Sequence, residues 1–538
     1  MDTTSQKNNP RVKLLLEEFN ALTSERRQWE TDWQSVRYLV RPDATDFTTT
    51  TLAGGTRTEQ AYDSTAIYAN LTMANGLDSE LTPSTERWFS LATDDDTLNQ
   101  RFEVRRWLEE CSDILFFYYS LAQSNFSQSK SQVYMDLSSF GTGVNYTDWD
   151  NRRRLIRHKT FPLSNCWVRE GADGIIDTIF ILWPLSLRNI VATWGADVLP
   201  EELRGEKVNP NMELDVIHRV APSKDFNPRL PAMRTNKPFS STWMIRKTAT
   251  LLEEGGFDEF PYQVPRWVVL AGQSYGRGAA ITCLPDIRML NQMKYTTLKG
   301  AQKKIDPTMI AESDSLLLPV KTRPGSWIFK QRGSQSPEPI RTEGDIGLGL
   351  EMMKDTQQTI LRAFFLDWLL LQKNNKEMTA YETEVRKEEQ LRLMAPLIGR
   401  QQAEYLEPNI VRCFNILSRN GKLPPRPASL SKVPLKVNYV SPAARAQMGS
   451  KLLAFRRYIE ILAPFANISE EVFDGLKMEE IGPEIAQALG LSTKVLRTPE
   501  ERAARAEERS RQQEMQQAAE MAKNLSGSVK DVAQAGML

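Results

Sequence analysis

Residues 345–418 constrain this chain most. They read as one long helical run broken near its middle by the polar segment Gln372-Lys373-Asn374-Asn375-Lys376-Glu377. Before the break, Ile346, Leu350, Met353, Ile360, Phe364, Trp368 and Leu371 recur at helical spacing. Residues 360–371 are apolar nearly all round, the pattern of a helix buried on several sides. After the break, Thr379-Ala380-Tyr381-Glu382 reads as a capping box, in which the Thr oxygen takes a free backbone N–H and Glu382 reaches back. The stripe resumes at Met394, Leu397, Ile398, Tyr405, Val411, Phe414 and Leu417. Pro396 and Pro408 each remove a hydrogen bond and crowd the preceding turn, so kinks are expected there. Asn420-Gly421 and then Pro424-Pro425 end the run. Two helices thus meet across a short polar loop holding two lysines. Such a loop belongs either in a solvent-filled space or at the tip of an ordinary helical hairpin.

Length and charge bound the function. A chain of 538 residues should hold roughly three domains at ~150 residues each. Lys+Arg and Asp+Glu are both 68, so the net charge is zero. A DNA-coating protein carries a basic excess, so this chain can meet nucleic acid only through local patches. Cys111, Cys166, Cys283 and Cys413 lie far apart with no CxxC, as expected of reduced, buried thiols in a cytoplasmic protein. Residues 1–10 are polar and read as disordered, with no signal peptide. No apolar run reaches the ~20 residues of a membrane span. There is no GxxxxGK(S/T), HExxH, GxSxG or cysteine–histidine metal spacing. No catalytic residue, metal or cofactor is therefore expected, and His158 and His218 read as structural.

Periodicity divides the remainder. Residues 11–41 form an amphipathic helix with Trp29 and Trp33 at contact spacing, stopped by Pro42. A loop spans 48–58, and a helix over 64–81 carries small residues Ala66, Ala69, Ala74 and Gly76 on one face. Two helices over 97–140 break at Ser124-Asn125-Phe126. Short β-rich runs follow to about residue 270, interrupted by a Pro-rich surface loop over 222–238. A helix runs from Pro285 to residue 305, and over 287–305 it carries Arg288, Lys294, Lys299, Lys303 and Lys304 with no acid among them. At 100° per residue Arg288, Lys299 and Lys303 share one face, which would attract phosphates without reading bases. Equally, Asp345, Glu351, Asp355 and Asp367 of the later helix could pair with it. Residues 306–344 are rich in breakers, with strand-like runs at 316–320 and 327–330 around the turn Arg323-Pro324-Gly325. A strand at 437–440 and helical pieces over 442–495 precede an Ala/Glu/Arg/Gln-rich tail, helical or disordered.

The order of these pieces resembles the portal (head-to-tail connector) family of short-tailed, podovirus-type bacteriophages. The residues that carry the resemblance begin with Arg27-x-Trp29-x-x-x-Trp33, Tyr38 and Pro42, then Asp63-Ser-Thr-Ala66, Gly76-Leu77 and Leu81-Thr-Pro83. Trp88-Phe89, Ser124-Asn-Phe126, Phe140-Gly-Thr-Gly143 and Ser274-Tyr-Gly-Arg-Gly278 follow. Met378-Thr-Ala380 with Glu382 and Ser441-Pro-x-Ala444 with Gln447 complete the series. Each motif alone is unspecific; their order is not.

The resemblance implies an α+β, mainly α, portal-type fold that assembles as a dodecameric ring. Its parts would be a wing (11–283 and 379–435), stem helices (284–305 and 345–371), a clip (306–344), a channel loop (372–378), a crown (436–500) and a tail (501–538). Double-stranded DNA would pass Arg288, Lys294, Lys299, Lys303, Lys304, Lys373 and Lys376 without sequence preference. Lys321, Arg323, Lys330 and Arg332 would dock the terminase large subunit and then tail adaptor or tail tube proteins. Ile360, Phe364, Phe365 and Trp368 would be covered by neighbouring subunits. Major capsid and scaffolding proteins complete the implied partners, and the implied location is the portal vertex of the virion, reached from the host cytoplasm. A tail adaptor or other virion connector, or an unrecognised cytoplasmic enzyme, stays open as an alternative.

Overall fold

The computed structural model describes residues 10–49, 58, 60–204, 208–229, 233–310, 332–333, 338–340, 346–366, 394–430, 433–441, 458–462 and scattered positions over 501–516. Helix α1 spans Pro10–Leu39 and buries Val12, Phe19, Leu22, Trp33 and Val36 along one side. Helix α2 (Thr65–Leu81) starts where the Asp63 carboxylate accepts the Thr65 N–H at 2.8 Å. Its Ala66, Ala69 and Ala74 are buried, which lets other helices come close. Strand β1 (Phe89–Thr93) and helix α3 (Phe102–Ser120) follow. A left-handed Asn125 (φ 59°) then separates α3 from α4 (Phe126–Ser139), at the break expected from sequence.

The β-rich stretch builds two antiparallel sheets. Strands β2 (Asn145–Asp150), β3 (Leu155–Thr160) and the later β9 (Tyr262–Gln263) form one, in the order β3-β2-β9. The other is a meander of β4 (Cys166–Glu170), β5 (Ile176–Ser186), β6 (Glu213–Pro222), β7 (Phe239–Ile245) and β8 (Thr250–Phe257). Side chains alternate between its faces. Phe180, Ile217 and Met244 pack against Val12, Phe19 and Leu22 of α1. Val216 and Ile245 pack with Leu187 and Ile190 from a short helix on the opposite side.

Helix α5 (Leu284–Ile305) has Pro285 in its first turn, where a missing N–H costs nothing. Two-residue strands β10 (Met309–Ile310) and β11 (Glu338–Pro339) pair antiparallel beyond its end. Helix α6 spans Ile346–Ala363 and packs against α5 and α2. Here the structure corrects the sequence reading, which ran this helix to residue 371. The helix stops at Ala363, and Phe365 turns left-handed (φ 57°). Consecutive apolar residues cannot share one helical face, and the turn lets both Phe364 and Leu366 reach the core. The expected capping box at Thr379 lies outside the described residues.

Helix α7 (Ala395–Gln401) opens on Pro396, and a π-helical turn (Gln402–Leu406) joins it to α8 (Glu407–Arg419). The π turn widens the ladder where the ring of Pro408 would meet the carbonyl of Glu404. Gly421 (φ 62°) follows α8 as the sequence suggests.

The chain divides into two compact units. One comprises Met1–Thr85 and Phe117–Asn420. Buried arginines tie it together: Arg26 donates to the carbonyls of Cys166 and Ser164 at 2.7 Å each and lies over the Trp167 ring at 4.2 Å. Arg412 of α8 donates to the Thr147 and Glu259 carbonyls at 2.7 and 3.0 Å. Such charges are stable inside a protein only when their donors are used. The other unit comprises Glu86–Phe116 and Gly421–Leu538. There β1 pairs antiparallel with β12 (Leu435–Tyr439), Phe89 opposite Tyr439 and Thr93 opposite Leu435. Ser112 accepts the Leu91 N–H at 3.0 Å and donates to Leu108 O at 2.7 Å, fixing α3 on β1.

Candidate connector surfaces

Three of the ordered motifs meet in one knot. Gly276 lies so close to Gly141 that a Cβ on Gly276 would sit 2.3 Å from the Gly141 carbonyl oxygen. A Cβ on Gly278 would sit 2.6 Å from the Ser139 oxygen. Only glycine permits this backbone-on-backbone contact. Gly276 N–H donates to Thr142 Oγ1 at 2.9 Å, and Trp267 N–H to the Gly141 oxygen at 2.8 Å. Tyr275 meets Trp33 edge-on at 5.0 Å and Trp29 at 5.9 Å, while Arg277 lies 4.8 Å over the Trp29 ring. Phe47 links Trp33 to Phe140, with ring centroids 5.3 and 5.2 Å apart. The knot therefore joins α1, the end of α4 and the segment leading into α5. It fixes where α5 leaves the body of this unit.

Arg266 braces the same place. It is 2% exposed and bonds Glu404 at 2.8 Å and Glu170 at 3.0 Å. Its guanidinium is held above its ordinary pKa against the opposing effect of burial, by Glu404 and then Glu170.

The first half of α5 is buried through Leu284, Ile287 and Leu290. Its second half emerges: Lys294, Lys299, Lys303 and Lys304 are exposed, as are Leu298 (51%) and Ile305 (84%). Among the described residues no carboxylate forms an ion pair with these lysines, and Glu351 and Asp355 of α6 stay exposed without pairing with them. Lys299 lies 4.3 Å over the Tyr295 ring. Arg288 differs from the lysines. Its guanidinium bonds Asp32 at 3.1 Å and Ser35 at 2.8 Å, so it ties α5 to α1. Asn291 accepts the Tyr62 N–H at 2.7 Å, and Gln357 reaches Asp63 at 3.2 Å, placing residues 60–63 against both α5 and α6.

Two expected interface residues need correction. Ile360 and Phe364 are each 0% exposed within a single chain. The chain's own packing covers them, so neither offers surface to a neighbour. Phe365 is half-buried with its ring 6.4 Å from Trp267. Arg332 is exposed. Trp368, Lys373, Lys376, Lys321, Arg323 and Lys330 lie outside the described residues.

The candidate nucleophiles and bases are quenched by burial. Cys111, Cys283 and Cys413 are pushed up to about 12, and Cys166 rises as well. Burial holds both histidines down at about 3. His218 is fully engaged by Tyr262 at 2.6 Å, Ser241 at 3.0 Å and a stacked Trp243 at 3.9 Å. No group of acids, histidines or cysteines among the described residues could hold a metal.

Fold and surfaces thus define a mainly helical α+β scaffold with buried ionic ties and one emergent basic helix. Residues 12–496 match the bacteriophage head to tail connecting protein family, and the chain belongs to it. Its function is that of a head-to-tail connector. It is 27% identical over 519 residues to the portal protein of Salmonella phage epsilon15, covering 94% of this chain and 92% of that protein. It is 25% identical over 498 residues to the probable portal protein of Bordetella phage BPP-1, covering 90% and 88%.

Proposed function

We propose that the chain is the portal subunit of a short-tailed phage, twelve copies forming a ring at one capsid vertex. Double-stranded DNA enters through the ring during packaging, driven by a terminase docked on it, and leaves through the tail that later takes that place. The observation that carries this reading is the family match over residues 12–496. The relatives named as portal proteins support it over comparable length. In this reading the wing, clip, channel loop and crown keep the boundaries given above, and the second stem helix ends at Ala363. Capsid and scaffolding proteins surround the ring, and the protein conducts DNA rather than transforming it.

The basic half of α5 fits the role. A ring repeats Lys294, Lys299, Lys303 and Lys304 around its axis, so a few residues per chain make a strong local field in a protein of zero net charge. Lys373 and Lys376 would add to it, and Lys321, Arg323, Lys330 and Arg332 would face terminase and tail. Contacts between copies fall to exposed apolar residues, Leu298 and Ile305 on α5 with Leu350 (48%) and Met352 (50%) on α6, in place of Ile360 and Phe364. The test is a chain with Lys294, Lys299, Lys303 and Lys304 all changed to Gln. Rings should form normally, while the length of DNA retained in filled heads should change. The salt dependence of DNA binding should also flatten by about 0.9 in log–log slope for each lysine that meets a phosphate. Unaltered retention and slope would remove α5 from the DNA path.

A further inference from the structure

The β2–β3 hairpin places five cations within eight residues, between positions 152 and 159. Residues 145–160 hold Arg152, Arg153, Arg154, Arg157 and Lys159 against Asp148 and Asp150. Asp150 organises the tip by accepting the Arg152 and Arg153 N–H groups at 2.9 and 3.1 Å, and it pairs with Arg153 at 3.0 Å. Asp148 is occupied by Tyr146 and Arg412. Arg152, Arg154 and Lys159 are exposed and have no carboxylate partner among the described residues. Strand β3 is an edge strand. Beside it opens a cleft of about 530 Å³ whose lining combines the aromatic Tyr146, Trp149 and Trp183, the basic Arg157 and Lys159, and the already engaged carboxylates of Asp148 and Asp150. Lys159 lies 3.9 Å over the Trp183 ring and 4.8 Å over Phe161.

We propose that this hairpin and cleft dock another protein, which inserts an aromatic or large aliphatic side chain flanked by carboxylates. Tryptophan, tyrosine and arginine around a concave centre are the composition that dominates binding energy at protein interfaces. The unpaired cations at the rim complement acidic flanks and speed encounter. Duplex DNA fits worse: its bases are stacked inside, so it offers phosphates to the rim and nothing to the aromatic floor.

The test uses the full chain and three fluorescein-labelled probes. One is a short peptide with a central Phe-Leu pair flanked by glutamates, the second its Ser-Ser counterpart, and the third a short DNA duplex. Two variants accompany the wild type. Arg152→Asn, Arg154→Asn and Lys159→Gln together remove exposed charge, and Asn tolerates the left-handed φ of 54° at position 154. Trp183→Ala removes the aromatic wall. The wild type should bind the Phe-Leu peptide saturably and in a salt-dependent way. Binding should weaken about tenfold in the charge-neutral variant, and the Ser-Ser peptide should bind about tenfold more weakly than the Phe-Leu peptide. The proposal is overturned by no saturable binding, by equal binding to the charge-neutral variant, or by a duplex that binds as tightly as the Phe-Leu peptide. A change in the chain's own assembly in that variant would instead make the hairpin an interface between copies.

Discussion

Gly276→Ala isolates the knot that orients α5. Gly276 has an ordinary φ, so the whole effect of the substitution comes from the added methyl. That methyl would lie 2.3 Å from the Gly141 oxygen, 2.9 Å from Trp267 N and 3.1 Å from Arg266 Cβ. Relief needs roughly 1 Å of movement between two backbone segments. Those segments are held by the Gly276–Thr142 and Trp267–Gly141 hydrogen bonds. Overpacking costs about 1–3 kcal/mol, and weakening two buried hydrogen bonds adds about 1 kcal/mol each. The stiffer unfolded chain returns up to about 1 kcal/mol, leaving a net loss of roughly 2–4 kcal/mol. Gly300→Ala in α5 is the control, because a Cβ there meets nothing within 4 Å. It should stabilise by about 0.5–1 kcal/mol through helix propensity. Urea unfolding followed by tryptophan fluorescence reads both variants. If Gly276→Ala unfolds within about 1 kcal/mol of wild type, the knot is not the rigid contact described here.

Arg266→Met should cost about 3–5 kcal/mol, since it strands the carboxylates of Glu404 and Glu170, and adding Glu404→Gln should recover part of that loss in the same urea assay. Phe364→Asp buries a carboxylate at a fully enclosed position and should give insoluble, unfolded chain; a soluble, folded monomer by circular dichroism and light scattering would return Phe364 to the subunit interface. Mild acid should destabilise the unit holding His158 and His218. Both are held near 3 when folded, so below pH 6.5 the unfolded chain takes up protons that the folded chain refuses. Asp136, pushed up to about 6 by burial despite Arg41, works in the opposite direction between about 6 and 3.8. The balance is a loss of about 2.5 kcal/mol from pH 7 to pH 5, and an unchanged urea midpoint over that interval would contradict it.

Much of this fold is legible because local rules act alone. The start of α2 after Asp63, the break at Asn125 and the stop after α8 each follow from capping or turn chemistry within a few residues. The ordered motifs are legible as words but not as a sentence. That Phe140-Gly-Thr-Gly143 and Ser274-Tyr-Gly-Arg-Gly278 touch depends on a contact across more than a hundred residues, which no periodicity encodes. The pairing of β1 with β12 is hidden for the same reason. The apolar run at the end of α6 misled because hydrophobicity says that a side chain is covered and not by what. Phe364 is covered by its own chain. The charge of Arg288 was visible, but its role depended on Asp32 and Ser35 of α1. The β2–β3 hairpin carried its signal openly in Arg152-Arg153-Arg154, and only the cleft beside it gave that charge a use.

Membership of a closed ring is the role proposed for this chain, and the mass of the purified protein in solution tests it most directly. Native mass spectrometry at low salt should find a species of about 740 kDa, twelve copies of the 61.3 kDa chain, with a central hole visible by negative-stain microscopy. A protein that stays at the mass of one or two chains over the whole accessible concentration range would contradict the account.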